Sequence, residues 1–289
     1  IILIVIYYNN KKEIRIREVN QYLNEVNRGN YKLKIEENGE DEISRLRNEL
    51  YKTTILLRET AENSEKEKVS LSNSLADISH QIKTPITSMR IMLDNIEDNP
   101  NMDSKTRVEF IKEISKQVDW ISSLVVSLLK LAKFDAGAIV MKNEEINVRN
   151  LIDKAVSNLA IILDVKNIKI ISNIDEAATI NADYNWQLEA ITNIIKNAVE
   201  HSSDNSNIYI NVENTSVFVK IQIKDEGEGI SKKDINHIFE RFYKSKNSSE
   251  NSIGIGLSLA KTIIEKANGY IKVESEEGKG TMFEIKYLK

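Results

Sequence analysis

The chain has 289 residues, 41% hydrophobic and 29% charged, which suits two domains with real cores and excludes a disordered segment. Its 40 Lys and Arg stand against 44 Asp and Glu, a formal charge of -4, so it offers no basic field for a nucleic-acid backbone and no polybasic membrane patch. Cys is absent and the 3 His (His80, His201, His237) lie far apart, which removes disulfides, thiolate nucleophiles and paired zinc-ligand spacing.

Ile1 to Tyr8 is wholly apolar and runs into Asn9-Asn10-Lys11-Lys12. As helix it would cover only ~12 Å of a ~30 Å hydrocarbon core. With no initiator Met, and with Lys11 and Lys12 as positive-inside residues, residues 1–10 read as the end of a transmembrane helix whose upstream part is missing. A buried strand or a signal-peptide remnant is the competing reading, and no small-residue cleavage site follows. Residues 11–67 read as a membrane-proximal linker and signalling helix. Within them a short helix is expected over Ile16 to Val26 and a turn at Arg28-Gly29-Asn30. From Asp41 onward, Ile43, Leu46, Leu50, Thr53 and Leu57 recur at spacings of three and four, a coiled-coil seam. The polar run "TAENSEKEKVS" interrupts it, and the repeat resumes at Leu71.

Residues 68–137 read as a helical hairpin. Leu71, Leu75, Ile78, Ile82, Ile86, Met89, Leu93 and Ile96 fall in an arc about 80° wide, one apolar stripe. His80 and Thr84 sit one turn apart on the opposite face. Pro85 lacks an N–H, so it is expected to bend this helix just beyond His80. After Asp98-Asn99-Pro100 a second helix is expected to start at Asp103 or Ser104, either of which can cap it. Ile111, Ile114, Val118, Ile121, Val125, Leu128 and Ala132 give it a seam of its own. Two such helices want two more, and a second copy of the chain supplies them most simply, so a homodimeric four-helix bundle is expected.

From residue 138 to 289 the pattern changes. Short alternating runs ("KIIS", "IYINVE", "VFVKIQIK", "GYIKVES", "TMFEIKY") alternate with helical stretches, the mark of a separate α+β domain. In "NWQLEAITNIIKNAVEHS", Asn193 and Asn197 share one helical face. An amide oxygen suits Mg²⁺, which takes the rest of its shell from water and phosphates, although such a pair is common on helix surfaces. In "IKDEGEGIS", Asp225 follows a strand and could accept from an adenine amino group while Gly227 and Gly229 let the base approach backbone. A tight turn would use the same residues. Phe239, Phe242 and a polar stretch holding Lys244 and Lys246, lid-like in composition, lead into Gly254-Ile255-Gly256-Leu257 at a helix start. There backbone N–H groups can approach phosphates, but no Walker Gly-Lys-Ser/Thr follows.

In their order and spacing these segments resemble the boxes of bacterial two-component sensor histidine kinases. The H box is "ISHQIKTPI", the N box "NIIKNAVEH", the G1 box "DEGEG", the F box "FERFY" and the G2 box "GIGLSLAK", and the resemblance covers about residues 40 to 289. It implies a dimerisation and phosphotransfer bundle followed by a Bergerat-type α/β sandwich that binds ATP with Mg²⁺. It also implies a preceding membrane-anchored sensor in the bacterial cell membrane with this portion cytoplasmic, and an aspartate of a response regulator receiver domain as partner. Matched onto the motifs, His80 is the phosphoacceptor, Asn197 the Mg²⁺ ligand and Asn193 its polar support. Asp225 holds adenine, and Gly227 and Gly229 shape its pocket. Gly254, Gly256 and Leu257 frame the phosphates near Lys244, Thr281 lies by the base, and Thr84 matches the position that orients a water for regulator dephosphorylation.

The chain departs from the family pattern in three places. Gln81 replaces the acid that often follows the histidine. An amide cannot be a base but could fix the tautomer, so slower or pH-sensitive autophosphorylation is expected. Glu200-His201 replaces a basic-aromatic pair, and Ser258 a frequent third glycine. A degenerate nucleotide-binding scaffold and a coiled-coil structural protein are the alternatives from other classes.

Overall fold

The computed structural model describes residues 2–31, 42–245 and 254–289. The polar stretch from Lys246, the connector beyond Tyr31 and the side chain of Leu71 lie outside the described residues. The chain divides into two compact units, Ile1–Ala76 and Asp77–Lys289.

The first unit is helical, made of α1 (Ile2–Asn27) and the opening turns of α2 (Glu42–Asp98). The apolar start and the expected short helix are one helix, because no Gly or Pro between them breaks it. It ends at the expected turn: Gly29 takes φ 82°, and the Asn30 N–H returns 3.1 Å to the Glu25 carbonyl. Among the described residues, no helix is long and apolar enough to cross a membrane. Of the predicted seam, Ile43 and Leu50 are half-buried while Leu46, Thr53 and Leu57 are exposed, and the buried positions here, Ser44 and Thr54, each lie one residue beyond a seam position.

In the second unit, α2 runs on through Pro85 and pairs with α3 (Ser104–Asp135). The Asp103 carboxylate caps α3, accepting from the Lys105 and Thr106 N–H groups at 2.9 and 3.0 Å. Only half of each predicted seam is covered. Ile78, Ile82, Met89, Ile114, Ile121 and Leu128 are half-buried, whereas Ile86, Leu93, Ile111, Val118 and Val125 are exposed. A lone hairpin can bury only the side of each stripe that faces its own partner.

The remaining chain folds as β1 (Glu144–Asn147), α4 (Val148–Asn158), α5 (Ala160–Lys166), β2 (Lys169–Ile174), β3 (Thr179–Ala182) and α6 (Tyr184–His201). It continues as β4 (Asn207–Asn214), β5 (Phe218–Asp225), α7 (Gly256–Lys266), β6 (Gly269–Glu276) and β7 (Gly280–Leu288). The five predicted runs become one mixed sheet of order β2-β4-β5-β7-β6, with β2 parallel to β4 and the other pairs antiparallel. The short β1 and β3 pair separately and antiparallel.

Period-two alternation sends Ile208, Ile210, Ile221, Ile223, Phe283 and Ile285 to one buried face, under α4, α6 and α7. The opposite face is held by a polar ladder across strands: Asn173 donates to Asn211, Asn211 to Gln222 and Gln222 to Glu284, at 3.0, 3.4 and 3.0 Å. The core also reaches α3, where Phe134 is buried and meets Trp186 edge-on with ring centroids 4.7 Å apart. Beside it Lys130 pairs with Glu189 at 2.8 Å.

Candidate functional site

A cleft of about 460 Å³ opens above α6 and the N-terminus of α7. Its floor is α6, an amphipathic helix whose Ile191, Ile194 and Ile195 are fully buried, which turns Asn193 and Asn197 into the cleft. Both ends of α6 are fixed by side chains. Asp183 caps the start, accepting from the Asn185 and Trp186 N–H groups. At the far end the Lys166 ammonium donates to the carbonyls of Val199, Glu200 and Ser202 at 2.9, 3.1 and 3.0 Å. One cation thus satisfies three carbonyls at a helix C-terminus, where the dipole favours positive charge.

Asp225, at the end of β5, is 2% exposed and lies in the wall behind the cleft rather than among its lining residues. Its Oδ1 accepts from the Gly227 and Thr281 N–H groups at 2.9 and 3.2 Å. Burial raises its carboxyl above the ordinary aspartate value, against the lowering effect of those two donors and of His201. Backbone packs hard against the two glycines that follow. A Cβ on Gly227 would lie 2.2 Å from the His201 carbonyl oxygen, and one on Gly229, at φ 71°, would lie 2.1 Å from that of Glu276. Neither neighbour can yield, so this wall requires glycine.

Gly229, Gly254, Gly256, Leu257 and Thr281 join Asn193 and Asn197 around the cleft. Ser258 is buried and its hydroxyl returns to the Ile255 carbonyl, so it supports the turn into α7 instead of facing the cleft. Gly227 is buried beside Asp225. Lys244 is not a lining residue. Its ammonium sits 5.8 Å from the centre of the Trp120 ring on α3, and burial pushes it below the ordinary lysine value.

His80 occupies a second, open groove on the outward face of α2, shared with Lys83, Thr84 and Thr87. The two sites have no lining residue in common. The Thr84 hydroxyl donates back to the His80 carbonyl at 3.2 Å. The Gln81 side-chain oxygen is buried without a hydrogen-bond partner, so it does not touch the imidazole.

Several cleft residues carry no role expected from the motifs. Ser127 comes from α3, and His201 pairs through Nδ1 with Glu228 at 2.8 Å. Tyr243 lines the cleft and donates to Asp234 at 2.6 Å. Glu200 stands out in the sequence only as a departure within the N box, and nothing there signals Lys166.

The donors along α6 are oxygens: the amides of Asn193 and Asn197 and the carboxylate of Glu200. Among the described residues, no group of three His, Cys, Asp or Glu could hold a metal. This set therefore fits a hard cation that brings most of its shell as phosphate and water.

Residues 70–137 match the model of the His Kinase A (phospho-acceptor) domain, and residues 182–289 that of the histidine kinase-, DNA gyrase B- and HSP90-like ATPases. The chain is 32% identical over 213 residues to the heme sensor protein HssS of Staphylococcus saprophyticus, covering 74% of this chain and 45% of that protein. It is 26% identical over 276 residues to the sensor histidine kinase YclK of Bacillus subtilis, covering 94% and 58%. It thus spans about half the length of the curated relatives it matches. In fold it is similar to the histidine kinase AdeS of Acinetobacter baumannii, with a TM-score of 0.61 and 23% identity over 72% of this chain and 97% of that one. It is likewise similar to the histidine kinase ThkA, solved in complex with its response regulator TrrA, at 0.65 and 22% over 80% and 66%. With both domain models met in the order and places of the five boxes, the chain belongs to the two-component sensor histidine kinases and carries their phosphoacceptor and ATPase portions.

Proposed function

We propose that the chain transfers the γ-phosphoryl group of ATP to His80 and passes it to an aspartate of a response regulator receiver domain. The observation that carries this reading is the pairing, in one chain, of an exposed histidine on a helical hairpin with a glycine-walled cleft over a buried carboxylate. Asp225 accepts from the adenine amino group, Gly227 and Gly229 admit the base, and the glycines at the start of α7 present backbone N–H groups to the phosphates. Asn197 holds Mg²⁺, with Asn193 beside it; the cation when bound spreads the charge of the terminal phosphates.

A neutral imidazole nitrogen of His80 attacks the γ-phosphorus in line. An N–P bond forms, the bond to the β–γ bridging oxygen breaks and ADP leaves. The proton on the other ring nitrogen passes to water, because the Gln81 amide is turned into the packing. Slow or pH-sensitive phosphorylation follows from the missing base. Thr84, one turn away, orients the water that removes phosphate from the regulator.

The working form is a homodimer, anchored through a membrane segment ahead of residue 10 with this portion on the cytoplasmic side. Exposed Ile2, Leu3 and Ile4 at the start of α1, followed by Lys11 and Lys12, support that placement. The test is incubation of the purified chain with γ-labelled ATP. Acid-labile label is expected on the unaltered protein and none on His80→Ala; label that persists in the variant would overturn the assignment. A chain that binds ATP but takes no label would instead be a signalling scaffold.

A further inference from the structure

The charge of the cleft is opposite to what a polyanion needs. Among the described residues its lining holds the carboxylates of Glu200, Glu228, Asp234 and Glu277 but the ammonium groups of only Lys196 and Lys233. Lys244, the expected phosphate partner, lies against Trp120. Two of the carboxylates are engaged by neighbours, Glu228 with His201 and Asp234 with the Tyr243 hydroxyl. Glu200 differs. Its nearest cation is Lys196 at 3.7 Å, a long i,i+4 contact whose lysine is 54% exposed, and such surface pairs contribute only about 0–1 kcal/mol.

Asn193, Asn197 and Glu200 stand at i, i+4 and i+7, so their oxygens share one face of α6. The backbone of Glu200 is also fixed, because its carbonyl is one of the three that Lys166 holds. A hard cation bound by one amide gains most from an added carboxylate, and Mg²⁺ sites on phosphates commonly use one or two.

We infer that Glu200 is a second oxygen ligand, beside Asn197, for the divalent cation that accompanies the nucleotide, and that it makes the cleft select metal-loaded over free triphosphate. This rests on the nucleotide reading above. Without the cation, Glu200 repels the phosphates; with it, the same carboxylate bridges to them. Metal dependence of binding is therefore built into α6.

The experiment measures ATP affinity of the full chain by calorimetry, once in saturating Mg²⁺ and once in EDTA, for the unaltered protein, Glu200→Gln and Glu200→Lys. The quantity read is the dissociation constant in EDTA divided by that in Mg²⁺. The ratio is expected to fall about tenfold or more in Glu200→Gln, as Mg·ATP binds more weakly and free ATP more tightly. In Glu200→Lys it should fall further. If Glu200 only neutralises Lys196, Glu200→Gln will free that lysine and tighten Mg·ATP as well as free ATP, and a Mg·ATP affinity that holds or rises in the variant would overturn the inference. Thermal melts of the metal-free variants check that each is folded. An unaltered chain that binds ATP under neither condition would remove the nucleotide reading itself, and this inference with it.

Discussion

Asp225 shows how a single buried group can serve binding at the expense of stability. Both of its backbone donors converge on Oδ1, so an amide in its place can keep both bonds and put an NH₂ where the second oxygen stood. That NH₂ would meet the adenine amino group donor to donor. Asp225→Asn should therefore lower ATP affinity about tenfold or more while leaving the domain folded. Because burial raises the carboxyl, the folded chain still holds the proton at pH values where the unfolded chain has released it. The stability this gives is complete below the ordinary aspartate range and is lost as pH rises through the raised value. Urea unfolding should accordingly find the variant at least as stable as the unaltered chain at about pH 8, with that advantage shrinking toward about pH 4. An unchanged affinity would show that Asp225 does not read the base. Its motif made Asp225 legible in the sequence, as it did Asn193 and Asn197. The direction of Lys244 was not, because its ring partner Trp120 lies far off in sequence and belongs to another element.

At the scale of elements, period alone found the hairpin helices, the main sheet and α6 with its cleft face. It missed β1 and β3, four residues each, which gain their order from pairing with each other. It also split α1 in two, since an apolar run and a charged run look like separate segments although nothing between them stops a helix. The fixing of α6 was equally hidden. Lys166 is an ordinary surface lysine in sequence, yet in the fold it closes the helix that carries both cleft asparagines. Three charge-assisted bonds from a half-buried ammonium imply that Lys166→Met will destabilise the domain by about 2 kcal/mol. ATP affinity should fall as well, because the end of α6 bears His201 and Glu200. Urea unfolding with and without Mg·ATP reads both effects. A variant as stable as the unaltered chain would mean that water replaces the lysine without loss.

For the whole molecule, what matters is which surface remains uncovered. Ile86 and Leu93 on α2 are 49% and 53% exposed, and Ile111, Val118 and Val125 on α3 are 52%, 48% and 43% exposed. Scattered exposed apolar residues are ordinary, but a row at heptad spacing on both arms of one hairpin is a half-built core. A second copy related by a two-fold axis would present the same row and close the bundle. His80 lies on the opposite side of α2 from this row, so closing the bundle leaves the imidazole open to solvent. No residue of this row lines the nucleotide cleft. Dimerisation and nucleotide binding should therefore separate. The unaltered chain is expected to sediment as a dimer, and the double variant Ile86→Glu, Val118→Glu as a monomer with the same affinity for Mg·ATP. A monomeric unaltered chain, or a variant that remains dimeric, would show that something other than a second hairpin covers the row. His80 and the cleft sit in separate cavities, so phosphorylation also requires the nucleotide to be carried to the histidine. Two facing hairpins would give that movement a fixed post to work against, and the monomeric variant should bind ATP normally yet take up label more slowly than the dimer.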